Sequence, residues 1–584
     1  MPSSPSSHSL PEGMTAHEYL TTRTPPWREL PPLRHEELGA IPELTPLQAQ
    51  LLHNRGYTTP EARQAFLRTD WRAGAPLPNL GQAVARLRLV IERGERIVVF
   101  GDFDVDGVTS CATLLLALRA LGAQAEPYIP SRLDDGRGPS RAAIDSICAR
   151  GADLLVTTDC GVTNADELAY AASRGLDVIV TDHHSPQGPL APAIALVNPR
   201  LGPATSPDWE LSGVGVAFRV AEALLPDERR ETLESLLDLA ALGTLADVAW
   251  LSPANWALAR AGLQRLNTQP RPGLLALAQQ ARLTPGEIGE RDIGFKIAPR
   301  LNAGSRMGEP TLPLELLLAE DSDVAMALAA RLDELNARRQ ELTESVLAEA
   351  RAQIQDRPGD LVVASGEDWP VGLLGLVANR LLDTYGVTAV VVSRAGAVSR
   401  GSARGPEGVN LVEALGREHE RLRYFGGHAR AAGFTLATAD LDAVLASLRA
   451  SIQARAPSLA SNGQAEVVAD CHLPLNRVTW DYYTRISELA PFGQGFPEPI
   501  FVARGVRLLR SWASGVEGRN LRMLLRDGAR VLNVLWAQHG WLTHALRAEP
   551  DLVLDVVYTF DAFRHADNGE RELLARVVTV RQSS

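Results

Sequence analysis

Apolar and polar positions alternate along the chain on two periods. From Arg96 onward, short apolar runs predict strands at Ile97–Phe100, Leu154–Thr158, Val178–Thr181 and Ile194–Val197. Between them, apolar residues at helical spacing predict helices at Thr109–Leu121, Ser140–Ala149, Asn164–Ser173 and Phe218–Leu225, with a further helix over Leu233–Leu245. This alternation predicts an α/β fold with a doubly wound parallel sheet. Asp321 to Gln355 contains no glycine or proline, and Val324, Leu328, Leu332, Leu335 and Leu342 recur along it, so a long, solvent-facing helix joining two domains is expected. A second, smaller α/β unit follows, with strands at Leu361–Ala364 and Val387–Val392 around a helix at Gly375–Leu382. Near the C-terminus Phe501–Val506, Leu521–Leu525, Val531–Trp536 and Leu552–Phe560 alternate on a period of two and predict a small β-barrel. Before Arg96 only short helices are expected, at Leu47–Leu52 and Glu61–Phe66, with no evident chemistry.

These elements divide the chain into an N-terminal tail and small helical region (1–80), an α/β domain (81–285), a connecting segment with the long helix (286–355), the smaller α/β domain (356–455) and the β-barrel (465–584). An Ala/Ser/Gly/Pro-rich linker is expected over 455–465. Met1–Met14 is Ser/Pro-rich, lacks the apolar core of a signal peptide, and is expected to be a disordered tail.

The chemistry gathers where strands end. Ile97–Phe100 runs into Gly101-Asp102-Phe103-Asp104-Val105-Asp106-Gly107, Leu154–Thr158 into Asp159-Cys160-Gly161, and Val178–Thr181 into Asp182-His183-His184. Open α/β sheets place their sites at the carboxyl ends of strands. Residues two apart in extended chain share a face, so the three aspartates would repel one another unless hard cations neutralise them. The plain alternative for one such stretch is a solvated acidic turn. Asp247, at the end of the Leu233–Leu245 helix, matters only if that helix packs beside the strand ends. Cys160 is expected to be a small buried thiol. Gly213-Val214-Gly215 resembles half of a dinucleotide fingerprint but lacks the third glycine and a clear preceding strand, so it reads as a loop entering a helix. Pro299 to Gly308 reads as a glycine-punctuated loop in which Arg300, Asn302 and Arg306 could cradle a phosphate. Ser399-Arg400-Gly401-Ser402-Ala403-Arg404 and Gly426-Gly427-His428 follow in a segment, 394–430, with seven arginines against four glutamates. Arginines beside small residues suit anions, although a flexible surface loop would look the same.

Composition changes this picture little. The chain has 584 residues and a formal charge of −12, which argues against a nucleic-acid partner only if charge is spread evenly. Lys296 is the only lysine, a pattern that coding bias explains as well as phosphate binding does. No apolar run reaches membrane-spanning length, and the four cysteines lack metal-ligand spacing, so a cytoplasmic protein without a membrane contact is expected.

Taken together, the motifs resemble the DHH phosphoesterase superfamily, and within it the RecJ-type single-strand-specific exonucleases, over roughly residues 90–584. The stretches that carry the resemblance are Gly101–Gly107, Thr158–Gly161, Asp182–His184, Gly243–Asp247, Arg300–Gly304, Ser399–Ser402 and Gly426–His428, with Glu488–Pro499 resembling the approach to an OB-fold. Phe103 and Val105 stand where the family often has tyrosine and alanine; both are spacers. The resemblance implies a parallel-sheet DHH domain, a DHHA1-type domain and an OB-fold barrel. It implies two divalent ions, Mn²⁺ or Mg²⁺, held by Asp104, Asp106, Asp159, His183 and Asp247, with Asp159 bridging them. Asp102 and Asp182 would orient ligands, and His184 would touch the scissile phosphate or leaving oxygen. Arg400, Ser402 and Arg404 would anchor a 5′-phosphate, with Ser399 and His428 beside them, and Arg300, Asn302 and Arg306 would hold the backbone nearby. Implied too are 5′→3′ degradation of single-stranded DNA to 5′-mononucleotides in recombination and repair, a monomer, and as partners a single-strand-binding protein and a RecQ-type helicase. Trp512, Trp536, Trp541, Tyr558, Phe560 and Phe563 of the barrel could stack bases, core packing being the default for most.

Two other functions compete. A phosphoesterase for cyclic dinucleotides or very short oligonucleotides would need no C-terminal barrel. A non-catalytic single-strand binder would be expected to have lost metal ligands, and here every acidic and histidine position of the motifs is present.

Overall fold

The computed structural model describes residues 15–583 except 23, 35–36, 38–40, 42, 133–137, 187, 355–358, 454–465, 550–551 and 565–568. The expected tail (Met1–Met14) and the whole of the expected linker (455–465) lie outside the described residues. The chain divides into two compact units, one of residues 70–461 and one built from both ends of the chain, 1–69 with 462–584.

In the larger unit the α/β alternation is as the sequence predicts, with one strand added. The elements are β1 (Arg96–Gly101), α1 (Val105–Ala120), β2 (Gln124–Tyr128), α2 (Arg141–Ala149), β3 (Leu154–Thr158), α3 (Ala165–Ser173), β4 (Asp177–Thr181), β5 (Ala195–Val197), α4 (Gly213–Leu224) and α5 (Leu237–Ala246). The strands form a five-stranded sheet in the order β2-β1-β3-β4-β5, parallel throughout. β2 has one buried position, Ala125, between exposed Gln124 and Glu126, and so escapes a search for apolar runs. β1 and β3 are buried on both faces, which is why they read as unbroken apolar runs. Val98, Phe100, Leu155, Val178 and Val180 pack on one side with Ile144, Ile147 and Leu168. α1 packs against α4 and α5.

Beyond α6 (Ala298–Arg306) comes the long helix α7 (Ser322–Ala352), capped by Asp321, whose carboxylate accepts from the amides of Asp323 and Val324 at 2.9 Å. α7 is not the solvated rod expected. Its buried side carries Ala325, Ala329, Leu332, Leu335, Val346, Leu347 and Ala350, whereas Val324 is 52% exposed. The alanines let α6 and the helix Pro272–Gln280 approach closely, and the last turns enter the core of the second sheet with Val362, Leu374 and Val391. That sheet comprises β6 (Leu361–Glu367), β7 (Thr388–Ala395), β8 (Val398–Arg404), β9 (Leu422–His428) and β10 (Ala431–Ala437) in the order β9-β10-β8-β7-β6, with helix α8 (Val371–Tyr385) against it. The stretches 399–404 and 425–428 are therefore strands and not loops.

The smaller unit holds a barrel of β11 (Cys471–His472), β12 (Phe501–Ser514), β13 (Asn520–Asp527), β14 (Arg530–Trp536), β15 (Val553–Arg564) and β16 (Arg571–Gln582), in the order β11-β12-β13-β14-β16-β15 and closed by β12 pairing with β15. The N-terminal segment belongs to it. Trp27–Glu29 pairs in parallel with Val467–Ala469, Arg55 meets the Asp470 carboxylate at 2.9 Å, and Phe66 stacks on Phe496 at 5.1 Å. Trp536, Tyr558 and Phe560 are barrel core, so they are removed from the candidate base-stackers, while Trp512, Trp541 and Phe563 stay partly exposed.

Candidate metal centre

The strand order reverses between β1 and β3, and the crevice at that reversal is where doubly wound sheets bind ligands. The three aspartates after β1 do not sit on one extended face. Only Asp102 continues the strand, its amide donating to the Thr158 carbonyl at 3.3 Å. Asp104 caps α1, accepting from the Gly107 amide at 3.1 Å, and Asp106 lies in that helix's first turn. The expected sharing of a face fails because the chain turns helical at Val105; Asp102 and Asp104 still converge, with Asp159, and Asp104 lies near enough to Asp106 to raise its pKa.

Asp106 is buried and held from outside its own motif. Its Oδ2 accepts from the Gly213 amide at 2.7 Å and its Oδ1 from the Val214 amide at 2.8 Å, at the N-terminus of α4. The Gly-Val-Gly stretch is thus the first turn of a helix and not a loop, and its free amides serve a carboxylate. Glycine is needed here for close approach. A Cβ on Gly213 would lie 2.6 Å from Asp159 Oδ1, and one on Gly243 would lie 2.7 Å from Asp106 Oδ1.

Asp159, fully buried, follows β3 with φ at 60°, in the left-handed region. Its Oδ1 lies 3.1 Å from His183 Nε2 and 3.9 Å from His184 Nδ1. Asp182, after β4, spends its carboxylate on hydrogen bonds. Oδ1 accepts from the amides of His183 (2.8 Å) and His184 (3.1 Å) and sits 2.7 Å from His184 Nδ1, while Oδ2 accepts from the Val162 amide at 2.9 Å. Cys160 is a buried thiol, in no disulfide.

Ligand atoms converge within 4.8 Å of one another in three groups: Asp159 with His183 and His184, Asp106 with His183 and Asp247, and Asp102 with Asp104 and Asp159. Asp159 and His183 are each shared by two groups, a pattern suited to two neighbouring cations with common ligands. α5 does pack beside the strand ends, which brings Asp247 into the cluster. Asp102, expected only to orient ligands, stands among the potential donors.

The electrostatics agree. Burial, and then the charges of Asp159 and Asp247, push the Asp106 carboxyl well above its usual range, so this cluster is poor at holding its negative charge alone. Burial works against ionisation of Asp182 too, but the bond and charge of His184 outweigh it and hold the carboxyl at about 2. Burial disfavours the His184 cation, yet Asp182 and Asp159 win and raise its pKa. Buried carboxylates with imidazole beside them suit Mn²⁺ at least as well as Mg²⁺.

Arginines face the acidic cluster. Arg306 is on α6, a helix where a loop was expected, and its Nη1 donates to the Gly372 carbonyl at 2.9 Å. Burial and repulsion from Arg132, Arg339 and Arg404 hold it at about 9, with Asp104 near enough to oppose them. Arg400, Ser402 and Arg404 share one face of β8, whereas Ser399 points to the opposite, buried face and bonds Thr438 at 3.0 Å. Arg300 is tied to Asp333 at 2.8 Å, and Asn302 lies on the same helix. The His428 ring lies parallel to that of His184, centroids 6.1 Å apart, so the second sheet reaches the centre. The α4 amides, Arg132 and Arg339 were not found from sequence. The Gly-Val-Gly stretch was the available signal for the first, and the arginines carry none.

Three family domains match in order. The DHH family N-terminal domain matches residues 96–244, the DHHA1 domain 359–454 and the RecJ OB domain 469–575. The chain is 34% identical to the single-stranded-DNA-specific exonuclease RecJ of Salmonella typhimurium, over 85% of this chain and 90% of that protein. It belongs to the RecJ family. The RecJ of Bacillus subtilis is 35% identical over 86% of this chain, which spans 64% of that relative's length. The crystal structure of Thermus thermophilus RecJ in complex with Mn²⁺ has a TM-score of 0.80 at 32% identity, covering 96% of this chain and 80% of that one. The α/β DHH domain, the DHHA1 domain and the OB-fold are therefore those of RecJ. The DHH match ends three residues before Asp247, a position that the packing of α5 brings to the cluster.

Proposed function

We propose that this chain is a metal-dependent exonuclease that hydrolyses single-stranded DNA from its 5′ end to 5′-mononucleotides, in recombination and repair. The observation that carries the reading is the convergence of Asp106, Asp159, His183 and Asp247 at the carboxyl edge of the sheet, opposite Arg306 and Arg404. Asp104, Asp106, Asp159, His183 and Asp247 would hold two divalent cations, Mn²⁺ or Mg²⁺, with Asp102 close enough to join them. Bound, the cations would neutralise phosphoryl charge and lower the pKa of a water nucleophile. The α4 amides fix both oxygens of Asp106. Asp182 fixes the His184 proton on Nδ1, which leaves Nε2 for the scissile phosphate or leaving oxygen. Arg404, Arg400 and Ser402 would receive the 5′-phosphate, and Arg306 and Asn302 the adjoining backbone, with His428 beside His184. The barrel would grip the strand through salt-dependent contacts. A single-strand-binding protein and a RecQ-type helicase are the protein partners this reading puts forward, with action as a monomer in the cytoplasm. Among the described residues no helix is long and apolar enough to cross a membrane.

Asp159→Ala tests the reading. Hydrolysis should fall by at least about 10²–10³-fold, the scale of losing transition-state charge stabilisation, while single-strand affinity measured in chelator stays near that of the intact protein. Turnover close to that of the unaltered chain would remove Asp159 from the chemistry.

A further inference from the structure

Asp106 and Asp247 come from different helices, yet their donor atoms fall in one group with His183, within 4.8 Å of one another. Asp106 is buried and clamped by the α4 amides, whereas Asp247 is exposed and caps the C-terminus of α5, where helices fray. A buried network joins these two helix ends. Ser212 caps α4 by accepting from the Gly215 amide at 3.2 Å, and its hydroxyl lies 2.7 Å from that of Thr244, three residues before Asp247. The Ser212 amide donates to Asn255 Oδ1 at 3.4 Å. Asn255 Nδ2 in turn donates to the carbonyls of Glu210, just before α4, and of Trp250, just after α5, the latter at 2.9 Å. Ser212, Thr244 and Asn255 are all fully buried.

The turn after Asp247 is where this network pulls. The Ala249 amide donates back to the Thr244 carbonyl at 3.2 Å, and Val248, between Asp247 and Ala249, has φ at 56°. A β-branched residue is strained in that left-handed region, which helix ends usually give to glycine. The strained turn is fastened at Thr244 before Asp247 and at Trp250 after it, so the backbone that carries this exposed carboxylate is fixed relative to α4.

On the metal-centre reading proposed above, we infer that Ser212, Thr244 and Asn255 are positioning residues, which lock the end of α5 to the start of α4 and so hold Asp106 and Asp247 close enough to serve one cation. Ligands that must be ordered as an ion binds cost affinity, and a scaffold that orders them beforehand recovers it. Asp102, Asp104 and Asp159 are carried by β1, β3 and the turns that follow them, outside this network. The network therefore bears on one cation of two.

Calorimetric titration of the full chain with Mn²⁺, without DNA, tests this. The unaltered chain should bind in two steps. Thr244→Val, which nearly keeps the side chain's shape and removes its hydroxyl, should weaken one step about tenfold and leave the other unchanged. Ser212→Ala should weaken the same step. Because the two changes break one shared bond, the double variant should bind Mn²⁺ as Ser212→Ala does, and not a further tenfold more weakly. Asn255→Ala should weaken that step too, and Thr244→Val decides the matter if Asn255→Ala does not fold. Ser252→Ala removes the cap of the neighbouring helix Pro253–Thr268 and should lower the melting temperature with both steps unchanged, which separates positioning from general loss of stability. Both steps unchanged in Thr244→Val, losses that multiply in the double variant, or an equal loss in Ser252→Ala would each overturn the inference. No Mn²⁺ uptake by the unaltered chain would overturn the metal-centre reading itself, and the inference with it.

Discussion

The carboxyl of Asp106 shows how the centre works as a metal site. In the folded metal-free chain it holds its proton more tightly than in the unfolded chain, because burial and the charges of Asp159 and Asp247 raise its pKa. Unfolding eases release of that proton, so this group should make the metal-free protein lose stability as pH rises above about 4. A divalent cation bound by Asp106 would take the place of that proton. The rise in melting temperature on adding Mn²⁺ should therefore be larger at pH 8 than at pH 5.5, and a rise independent of pH would contradict this assignment. Asp182 has the opposite sign. Its carboxyl is held at about 2 despite burial, through His184, so its contribution is present above about 4 and is lost as pH falls toward 2. In chelator, the stability gap between the unaltered chain and Asp182→Asn should narrow across that window; a constant gap would mean that His184 does not hold the charge. At this scale the sequence was a good guide to acidic and histidine positions, since strand ends mark them. It was silent on Arg132 and Arg339, because a lone arginine in an arginine-rich chain has no pattern.

Among elements, β1 and β3 were legible because they are buried on both faces, and β2 was not because only Ala125 of it is buried. Helices were harder. Pro299 to Gly308 contains a proline and two glycines and reads as a loop, yet Pro299 falls in the first turn of α6, where it costs little, and Gly304 packs against Pro313. α7 was found, but its buried side was misplaced, because close packing prefers Ala325 and Ala329 to Val324. α4 matters most. Its first turn binds Asp106 by two amides and leaves Asp159 room only because residue 213 is glycine. Gly213→Ala should thus raise the Mn²⁺ concentration needed for half-maximal activity about 10–100-fold, the usual effect of disturbing a metal ligand's support, with much of the rate recovered at high Mn²⁺. An unchanged metal titration would show that α4 is only a packing element.

Across the whole molecule, the barrel was legible from its period-two segments, but its membership was not. Residues 1–69 belong with 462–584, through pairings between positions more than 400 apart that no local pattern reports. Removing residues 462–584 alone would leave Arg55 and Phe66 without Asp470 and Phe496. The informative truncation is residues 70–461, which should still cleave a short oligonucleotide with Mn²⁺ at saturation and should lose affinity and salt dependence on long strands. Loss of cleavage at saturation would give the barrel unit a part in the chemistry. The most direct measurement on the central claim is digestion of a long single strand labelled at one end or the other, with Mn²⁺ and with chelator. The expected result is immediate release of the 5′ label as a mononucleotide, only with metal and not from duplex. Early release from the 3′ end, or release in chelator, would contradict it.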